Sequence, residues 1–150
     1  IYKFFKLKIK LAAKKMSLKL RILLPLTYML GIYALSSIPD TGRIETQVDK
    51  IFHWVSPELQ NLLHIPLFGG LAGCWYWALK PWIHGVNRKV ITAFILTMIY
   101  SFFDEYHQLS VPGRFGSFTD LGLNAIGSIL ILAMIAAHYR VQPLNNSIHR

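Results

Sequence analysis

The chain has 150 residues, of which 53% are hydrophobic and 15% are charged, and its formal net charge is +9. The length suits one domain, and the apolar share exceeds that of ordinary soluble proteins, so we expect lipid to be the solvent. The single cysteine, Cys74, excludes an internal disulfide. The chain begins with Ile1 rather than Met, and we expect this residue to lie within a longer chain.

The first predicted element is a basic N-terminal arm over residues 1–19. Its apolar residues Phe5, Ile9, Ala12 and Met16 recur at helical spacing, and lysines surround them. This pattern predicts an amphipathic helix on the inner membrane surface, held by anionic lipid. A basic extension without a helix is the alternative. We do not expect a signal peptide, because the next apolar segment is as long as a span and no small-residue cleavage site follows it.

Four apolar windows follow, each with the length that a bilayer core requires, about 17 to 23 residues. A soluble four-helix bundle would need a polar stripe on every helix, and the run LILAMIAA in the fourth window has none. The sequence therefore predicts an all-α membrane protein, a four-helix transmembrane bundle with an N-terminal amphipathic interfacial helix. The windows cover residues 22–38, 61–79, 90–109 and 117–138, within a four-span domain over 20–140.

The distribution of charge orients the predicted spans. The segments before the first span, between the second and third, and after the fourth carry lysine and arginine but no acid. By the positive-inside rule these segments face the cytoplasm, so both termini are inside and residues 141–150 form a cytoplasmic tail. Topology then explains the positive charge, and we expect no nucleic-acid partner. The seven acids lie on the other side: Asp40, Glu45, Asp49, Glu58, Asp104, Glu105 and Asp120.

The stretch DEYHQLSVPGRFGSFTD, residues 104–120, places three carboxylates where the last two spans meet. At about 1.5 Å per helical residue, Asp104, Glu105 and His64 lie about 22–24 Å above the inner basic residues. The hydrocarbon core of a bilayer is about 30 Å thick, so these groups lie several ångströms below its outer surface. A charge at mid-membrane costs about 2.5–3.5 kcal/mol, so such groups should face the bundle interior. We therefore predict one buried polar site that opens outward.

Helical spacing places these polar residues on shared faces. Asp104 and Gln108 are four residues apart, as are Asp120 and Asn124. The turn VPGRFGS between the last two spans brings Arg114 back over the site. Small residues on the second and fourth spans predict close helix packing, at Gly69, Gly73 and Gly127.

The block DEYHQLSVPGRFGSFTDLGLNAIGS resembles the signature of VanZ-like membrane proteins: an acid pair, a glutamine, PGR, and then Asp, Asn and Gly. That family also has a histidine at the start of its second span, where His64 stands here, with Gln60 and Asn61 in place of the usual Asp-Lys. The resemblance covers about residues 22–138. It implies a multi-pass protein of the bacterial cytoplasmic membrane. From depth, spacing and the matched motif together, we predict that the ligand-binding residues are His64, Asp104, Glu105, Gln108, Arg114, Asp120 and Asn124.

Three functions stay open. The family is named for a protein of glycopeptide-antibiotic resistance, so the first is binding or processing of an envelope ligand, such as a lipid-linked glycan precursor. Arg114 would hold its phosphate or carboxylate. The second is an enzyme, with the carboxylates in acid–base work or holding a divalent cation with His64 or His107. The third is an accessory subunit, with lipid and other membrane proteins as partners.

Two observations weigh against the first two functions. The polar groups can also pair only with one another and fix the register of the helices, as buried polar groups do in some proteins. The chain has no HExxH motif, no nucleophile elbow and no cysteine ligand set. We therefore assign no catalytic residue, no metal and no cofactor from the sequence.

Overall fold

The computed structural model describes residues 20–40 and 61–148, and the predicted arm over residues 1–19 lies outside these ranges. Within them the chain forms four helices and no strand. The prediction of an all-α protein is therefore confirmed for the described part of the chain. The helices are α1 (Leu20–Ser36), α2 (His64–Leu79), α3 (Val86–Gln108) and α4 (Phe118–Ile148).

Two of these helices are long and apolar enough to cross a membrane, over Val86–Gln108 in α3 and Phe118–Arg140 in α4. Helix α1 is apolar but shorter, and α2 has 16 residues, which at 1.5 Å per residue is about 24 Å. A bilayer core is about 30 Å thick. The helix lengths therefore indicate a membrane protein, and the full set of four spans stays a prediction.

The helices differ from the predicted windows mainly at their ends. Helix α2 begins at His64, after a turn at Leu63, and α3 begins at Val86, four residues before its window. Helix α4 continues to Ile148, ten residues past the predicted end of the fourth span. The reason is that hydropathy locates the apolar residues, whereas the hydrogen bonds of a helix join backbone groups and continue into polar sequence.

The hydrophobic core is built mainly by α2. Its side chains Phe68, Leu71 and Tyr76 are almost completely buried, and among α2, α3 and α4 the most extensive packing joins α2 to α4. Helix α1 adds Ile32 and α3 adds Tyr100 to the same cluster. The second window is thus the central helix of the described bundle.

Beyond its first turn, the outer surface of α3 is apolar, and the polar residues Thr97, Ser101, Asp104, Glu105 and Gln108 are buried. Ile91, Ile95, Ile99 and Phe102 form a stripe along the helix and are 50–63% exposed. A soluble helix would bury such a stripe and expose its polar face, because apolar area is stabilised by removal from water. This reversed arrangement is what a helix surrounded by lipid requires.

Helices α2 and α4 approach each other closely at Gly69 and Gly127. A Cβ atom at Gly69 would lie 2.9 Å from the backbone oxygen of Gly127, and one at Gly127 would collide with the carbonyl group of Ile65. At Gly73 an added Cβ would lie 3.5 Å from Ile131, which is ordinary contact. The close approach therefore requires glycine at positions 69 and 127 but not at 73.

Candidate functional site

The polar residues of α3 gather where this helix ends. We call this region, at the ends of α1 and α3 and the starts of α2 and α4, the polar end. Asp104, Glu105 and Gln108 are at most 5% exposed, whereas the neighbouring Phe103 and Tyr106 are 54% and 74% exposed. The charged side chains are thus inside and the aromatic ones outside, which places the predicted acid pair within the bundle.

Asp104 is held by two side-chain donors. The Ser36 hydroxyl donates to Oδ1 at 2.7 Å, and Gln108 Nε2 donates to Oδ2 at 3.2 Å. The residue that follows α1 makes a second polar contact with α3, because Ser37 Oγ lies 2.9 Å from His107 Nε2. The His107 ring also stacks on Tyr33, with ring centroids 4.3 Å apart. Both oxygens of Asp104 therefore have partners, and His107 is engaged with α1.

A second network joins α2, α3 and α4 through Asn124, whose side chain is fully buried. Its Oδ1 lies 2.9 Å from His64 Nδ1, and its Nδ2 donates to Ser101 Oγ at 2.8 Å. An amide oxygen can only accept, so this assignment places a proton on Nδ1 of His64. Ser128 Oγ donates to the Asn124 backbone carbonyl at 2.7 Å.

Glu105 and Asp120 lie beside this network. The Ser117 backbone N–H donates to Glu105 Oε2 at 3.0 Å, which ties α3 to the start of α4. Glu105 Oε1 and Asp120 Oδ1 are buried and have no hydrogen-bond partner among the described residues. Potential ligand atoms of His64, Glu105 and Asp120 all lie within 4.8 Å of one another. Three helices therefore converge on this group.

The turn between α3 and α4 brings Arg114 to the polar end. Arg114 Nε donates to the Ile38 carbonyl at 3.1 Å, and the Asp40 backbone N–H donates to the Pro112 carbonyl at 3.0 Å. Gly113 has a φ of 77°, and a Cβ at this position would collide with the backbone of Asp40. Only glycine adopts this conformation without strain, so the PGR turn packs directly against the residues that follow α1.

A cavity of about 210 Å³ opens between α1, α2 and the end of α3. Half of the residues that line it are polar and half are apolar. The apolar lining comes from α1 and from the start of α2, both of which turn leucines toward the cavity. The polar residues are Ser36, His64, Asp104, Gln108 and Arg114, and the apolar ones are Ile32, Leu35, Leu63, Leu67 and Phe68.

All seven residues predicted to bind a ligand lie at the polar end, but they do not form one uniform pocket. Four of them line the cavity, namely His64, Asp104, Gln108 and Arg114. The others, Glu105, Asp120 and Asn124, belong to the buried groups that meet at His64. The cavity is amphipathic, which differs from the polar pocket expected from the sequence. Whether the residues bind a ligand stays a prediction.

Two residues of the site were not among the predicted ones. Ser101 and Ser128 are fully buried, and both hydrogen-bond to Asn124. A signal for each was present in the sequence: Ser101 precedes Asp104 by three residues, and Ser128 follows Asn124 by four. These spacings place each serine on the polar face of its helix.

The opposite end of the bundle combines aromatic and basic side chains. The Arg21 guanidinium lies 4.5 Å from the centre of the Trp77 ring, and Lys80 Nζ donates to Tyr139 Oη at 2.9 Å. Trp77 and Trp82 are partly exposed, as in the aromatic belt at a membrane–water interface. Trp75 is 9% exposed and packs in the core, so it does not belong to such a belt.

The helices have an apolar exterior, a buried polar cluster at one end, and basic and aromatic residues at the other. These features indicate a helical membrane protein. The sequence profile of the VanZ/LLP1 family matches residues 4–139, which is most of the chain. The chain therefore belongs to the VanZ/LLP1 family, and the resemblance noted in the sequence is confirmed. No curated protein and no solved structure matches it.

Proposed function

We propose that this protein crosses the bacterial cytoplasmic membrane four times, with both termini inside, and binds an amphipathic anionic ligand of the cell envelope at its polar end. The ligand class is a lipid-linked phosphate, such as a lipid-linked glycan precursor. The observation that carries this proposal is the cavity of about 210 Å³, which is lined by five polar and five apolar residues and whose surface is mostly apolar.

The apolar half of the cavity fits a lipid chain. Leu35 on α1 and Leu63 before α2 line the cavity and are each 43% exposed, so they belong both to its wall and to the outer surface. A hydrocarbon chain lying over these leucines would stay in contact with the bilayer while its head group entered between the helices. The hydrocarbon chain of the ligand would therefore need no water-filled path.

The polar half fits an anionic head group. Arg114 lines this side, and a planar guanidinium suits phosphate because it presents two parallel N–H donors. Asp104 also lies on this side, and its two oxygens accept hydrogen bonds from Ser36 and Gln108. Ligand pockets for whole drug-sized molecules have volumes of about 300–1,000 Å³. The smaller cavity therefore suits a head group rather than an entire lipid.

The exposed leucines of α1, one of the two shorter helices, support the proposal that it also crosses the membrane. Leu23, Leu26 and Leu30 on α1 are 45–67% exposed, as on a helix that contacts lipid. Helix α1 is preceded by the basic arm and ends at Ser36, which bonds to the polar end of α3. It thus runs alongside α3 from the basic end to the polar end. The arm over residues 1–19 would lie on the inner surface as an amphipathic helix.

Binding of a polyprenyl phosphate to the purified chain in lipid nanodiscs tests the proposal. Hydrogen bonds to charged groups contribute about 1.5–3 kcal/mol, so Arg114→Gln should weaken the affinity by about tenfold or more. Arg88→Gln is the matched control, because Arg88 is exposed at the start of α3, at the other end of the bundle. The corresponding polyprenol, which lacks the phosphate, should not distinguish the variants. Equal affinities for both variants would contradict the proposal.

The second candidate function is that of an accessory subunit in a larger membrane complex. Phe115, in the turn before α4, and Phe118, the first residue of α4, are 82% and 91% exposed. Large aromatic side chains in such positions contact either lipid or another protein. An accessory subunit should purify from membranes with one partner in fixed stoichiometry, and Phe115→Ser with Phe118→Ser should release that partner. A chain that purifies alone would contradict this candidate.

A further inference from the structure

We infer that His64, Glu105 and Asp120 form a binding site for a divalent transition-metal ion, with Zn²⁺ as the representative ion. The site lies beside the proposed ligand cavity and shares His64 with it. The inference does not depend on the proposed ligand, because the three residues meet within the protein itself.

The first support is the convergence of three donor side chains from three helices. Their potential ligand atoms all lie within 4.8 Å of one another. Zn²⁺ binds nitrogen and oxygen ligands at about 2.0–2.2 Å, so a tetrahedral ion holds them about 3.4 Å apart. Small rotations of the side chains would therefore bring all three atoms onto one ion, without any movement of the helices.

The second support is that two carboxylate oxygens are buried without a partner. Glu105 is 5% exposed and Asp120 is 7% exposed, and in the described part of the chain neither Glu105 Oε1 nor Asp120 Oδ1 has a hydrogen-bond donor. Buried carboxylates are stable only when hydrogen bonds or an opposite charge compensate them. Asp104, by contrast, has a donor for each oxygen. A cation between Glu105 and Asp120 would supply what these two acids lack.

The position of Asp120 would ordinarily explain it as a helix-capping residue. Ser117 precedes α4, and its hydroxyl accepts the Thr119 N–H at 3.0 Å, as an N-cap serine does. In a capping box, the acid three residues after the cap accepts the backbone N–H of the cap residue. Here the Ser117 N–H donates to Glu105 Oε2 instead. The capping role is thus taken by Glu105, and Asp120 keeps an oxygen for another partner.

The third support is the state of His64. Its Nδ1 proton is engaged by Asn124 Oδ1 at 2.9 Å, so Nε2 is the ring nitrogen that can offer a lone pair to a metal ion. Histidines that bind metals almost always donate the proton of their other ring nitrogen in this way, which fixes the tautomer. Asn124 is in turn held by Ser101. The histidine is therefore oriented as a metal ligand would be.

The donor set also indicates the kind of ion. Imidazole suits Zn²⁺ and other first-row transition ions, whereas Mg²⁺ and Ca²⁺ prefer all-oxygen sites. Two carboxylates with one histidine neutralise a divalent charge and leave a position for water or for an oxygen of a bound ligand. The main rival is a proton shared by Glu105 and Asp120, which would need no metal.

Zinc content of the full-length chain, purified with a tag free of histidine, tests the inference. The protein is stripped with a chelator, loaded with Zn²⁺, freed of excess ion and measured by elemental mass spectrometry. We expect about one zinc per chain in the wild type. His64→Gln, Glu105→Gln and Asp120→Asn should each lower the affinity at least tenfold. In Glu105→Gln the amide oxygen can still accept the Ser117 N–H, so the helix contact persists.

Two controls separate the site from adventitious binding and from misfolding. His107→Gln removes a half-buried histidine of the same helix but should keep the zinc, because His107 is bonded to Ser37. Loss of the Asn124 acceptor in Asn124→Leu should weaken zinc binding about 10–100-fold, and Asn124→Asp should restore it. Helix content by circular dichroism must stay unchanged. Stoichiometric zinc that survives all three ligand substitutions, no zinc in the wild type, or binding of Mg²⁺ or Ca²⁺ alone overturns the inference.

Failure of this experiment leaves the proposed ligand cavity intact. The zinc measurement contains no polyprenyl phosphate, and the ligand measurement depends on Arg114, which is not part of the metal group. A wild-type chain without zinc that still discriminates polyprenyl phosphate through Arg114 would overturn the metal site alone. A chain that binds zinc but no lipid phosphate would overturn the proposed function alone.

Discussion

The Ser36 hydroxyl donates a hydrogen bond of 2.7 Å to Asp104 Oδ1, joining α1 to α3 across 68 residues of sequence. The same hydroxyl lies 3.0 Å from the Ile32 carbonyl, one helical turn earlier. Both residues line the cavity at the polar end. The bond therefore fixes the distance between two walls of the proposed binding site and satisfies one oxygen of a buried carboxylate.

Ser36→Ala should destabilise the bundle. The substitution leaves Asp104 Oδ1 without its donor, and an unsatisfied buried group costs about 1–3 kcal/mol, or more when charged. Ser110→Ala is the matched control, because Ser110 is exposed after α3 and should change stability by less than about 0.5 kcal/mol. Reversible unfolding in mixed detergent micelles measures both. Equal stability of the two variants would show that the Ser36–Asp104 bond is not formed.

The sequence was most informative about which residues share a helical face. It was least informative about which side chains bond to one another across helices. The spacing of Asp104 and Gln108, and of Asp120 and Asn124, predicts shared helical faces, and the structure places each pair on one buried face. Depth counting also placed His64 level with the acids, and His64 meets Glu105 and Asp120. The spacing within each helix is set by the helix geometry alone, so it can be read directly.

Which side chains bond across helices depends on rotation and packing that no single segment encodes. The sequence alone could not tell that Asp104 takes its donor from Ser36, while Glu105 accepts the backbone N–H of Ser117. It also could not show that Trp75 packs in the core while Trp77, two residues later, is exposed. An apolar helix in lipid has no polar stripe to mark its inner face, so neighbouring aromatic residues look alike in the sequence.

Gly127→Ala should disrupt the contact between α2 and α4. The new Cβ would collide with the backbone carbonyl of Ile65, so the helices must separate, and such overpacking costs about 1–3 kcal/mol. Gly122→Ala lies on the same helix, where an added Cβ meets nothing within 4 Å. It should be neutral or slightly stabilising, since alanine favours a helix over glycine by up to about 1 kcal/mol. Thermal unfolding in detergent should rank wild type above Gly127→Ala, and the reverse order would contradict the close approach.

The orientation of the bundle is tested by single cysteines in a Cys74→Ser background. A thiol at Ser117, at the polar end, should react with a membrane-impermeant reagent added to intact cells. A thiol at Asn87, beside the basic end of α3, should react only after the membrane is opened. We expect this because all acids fall on one side of the predicted spans and the lysine-rich segments on the other. Labelling of position 87 alone in intact cells would reverse the topology and place the cavity inside.

The most direct test of a lipid-phosphate site is a density map of the protein in a lipid nanodisc that contains polyprenyl phosphate. We predict density in the cavity between His64, Asp104 and Arg114, with the head group about 2.7–3.2 Å from the Arg114 guanidinium and the chain along Leu35 and Leu63. The same map of Arg114→Gln should lack that density. A cavity closed by the protein's own side chains, or lipid bound only elsewhere on the surface, would contradict the proposed function.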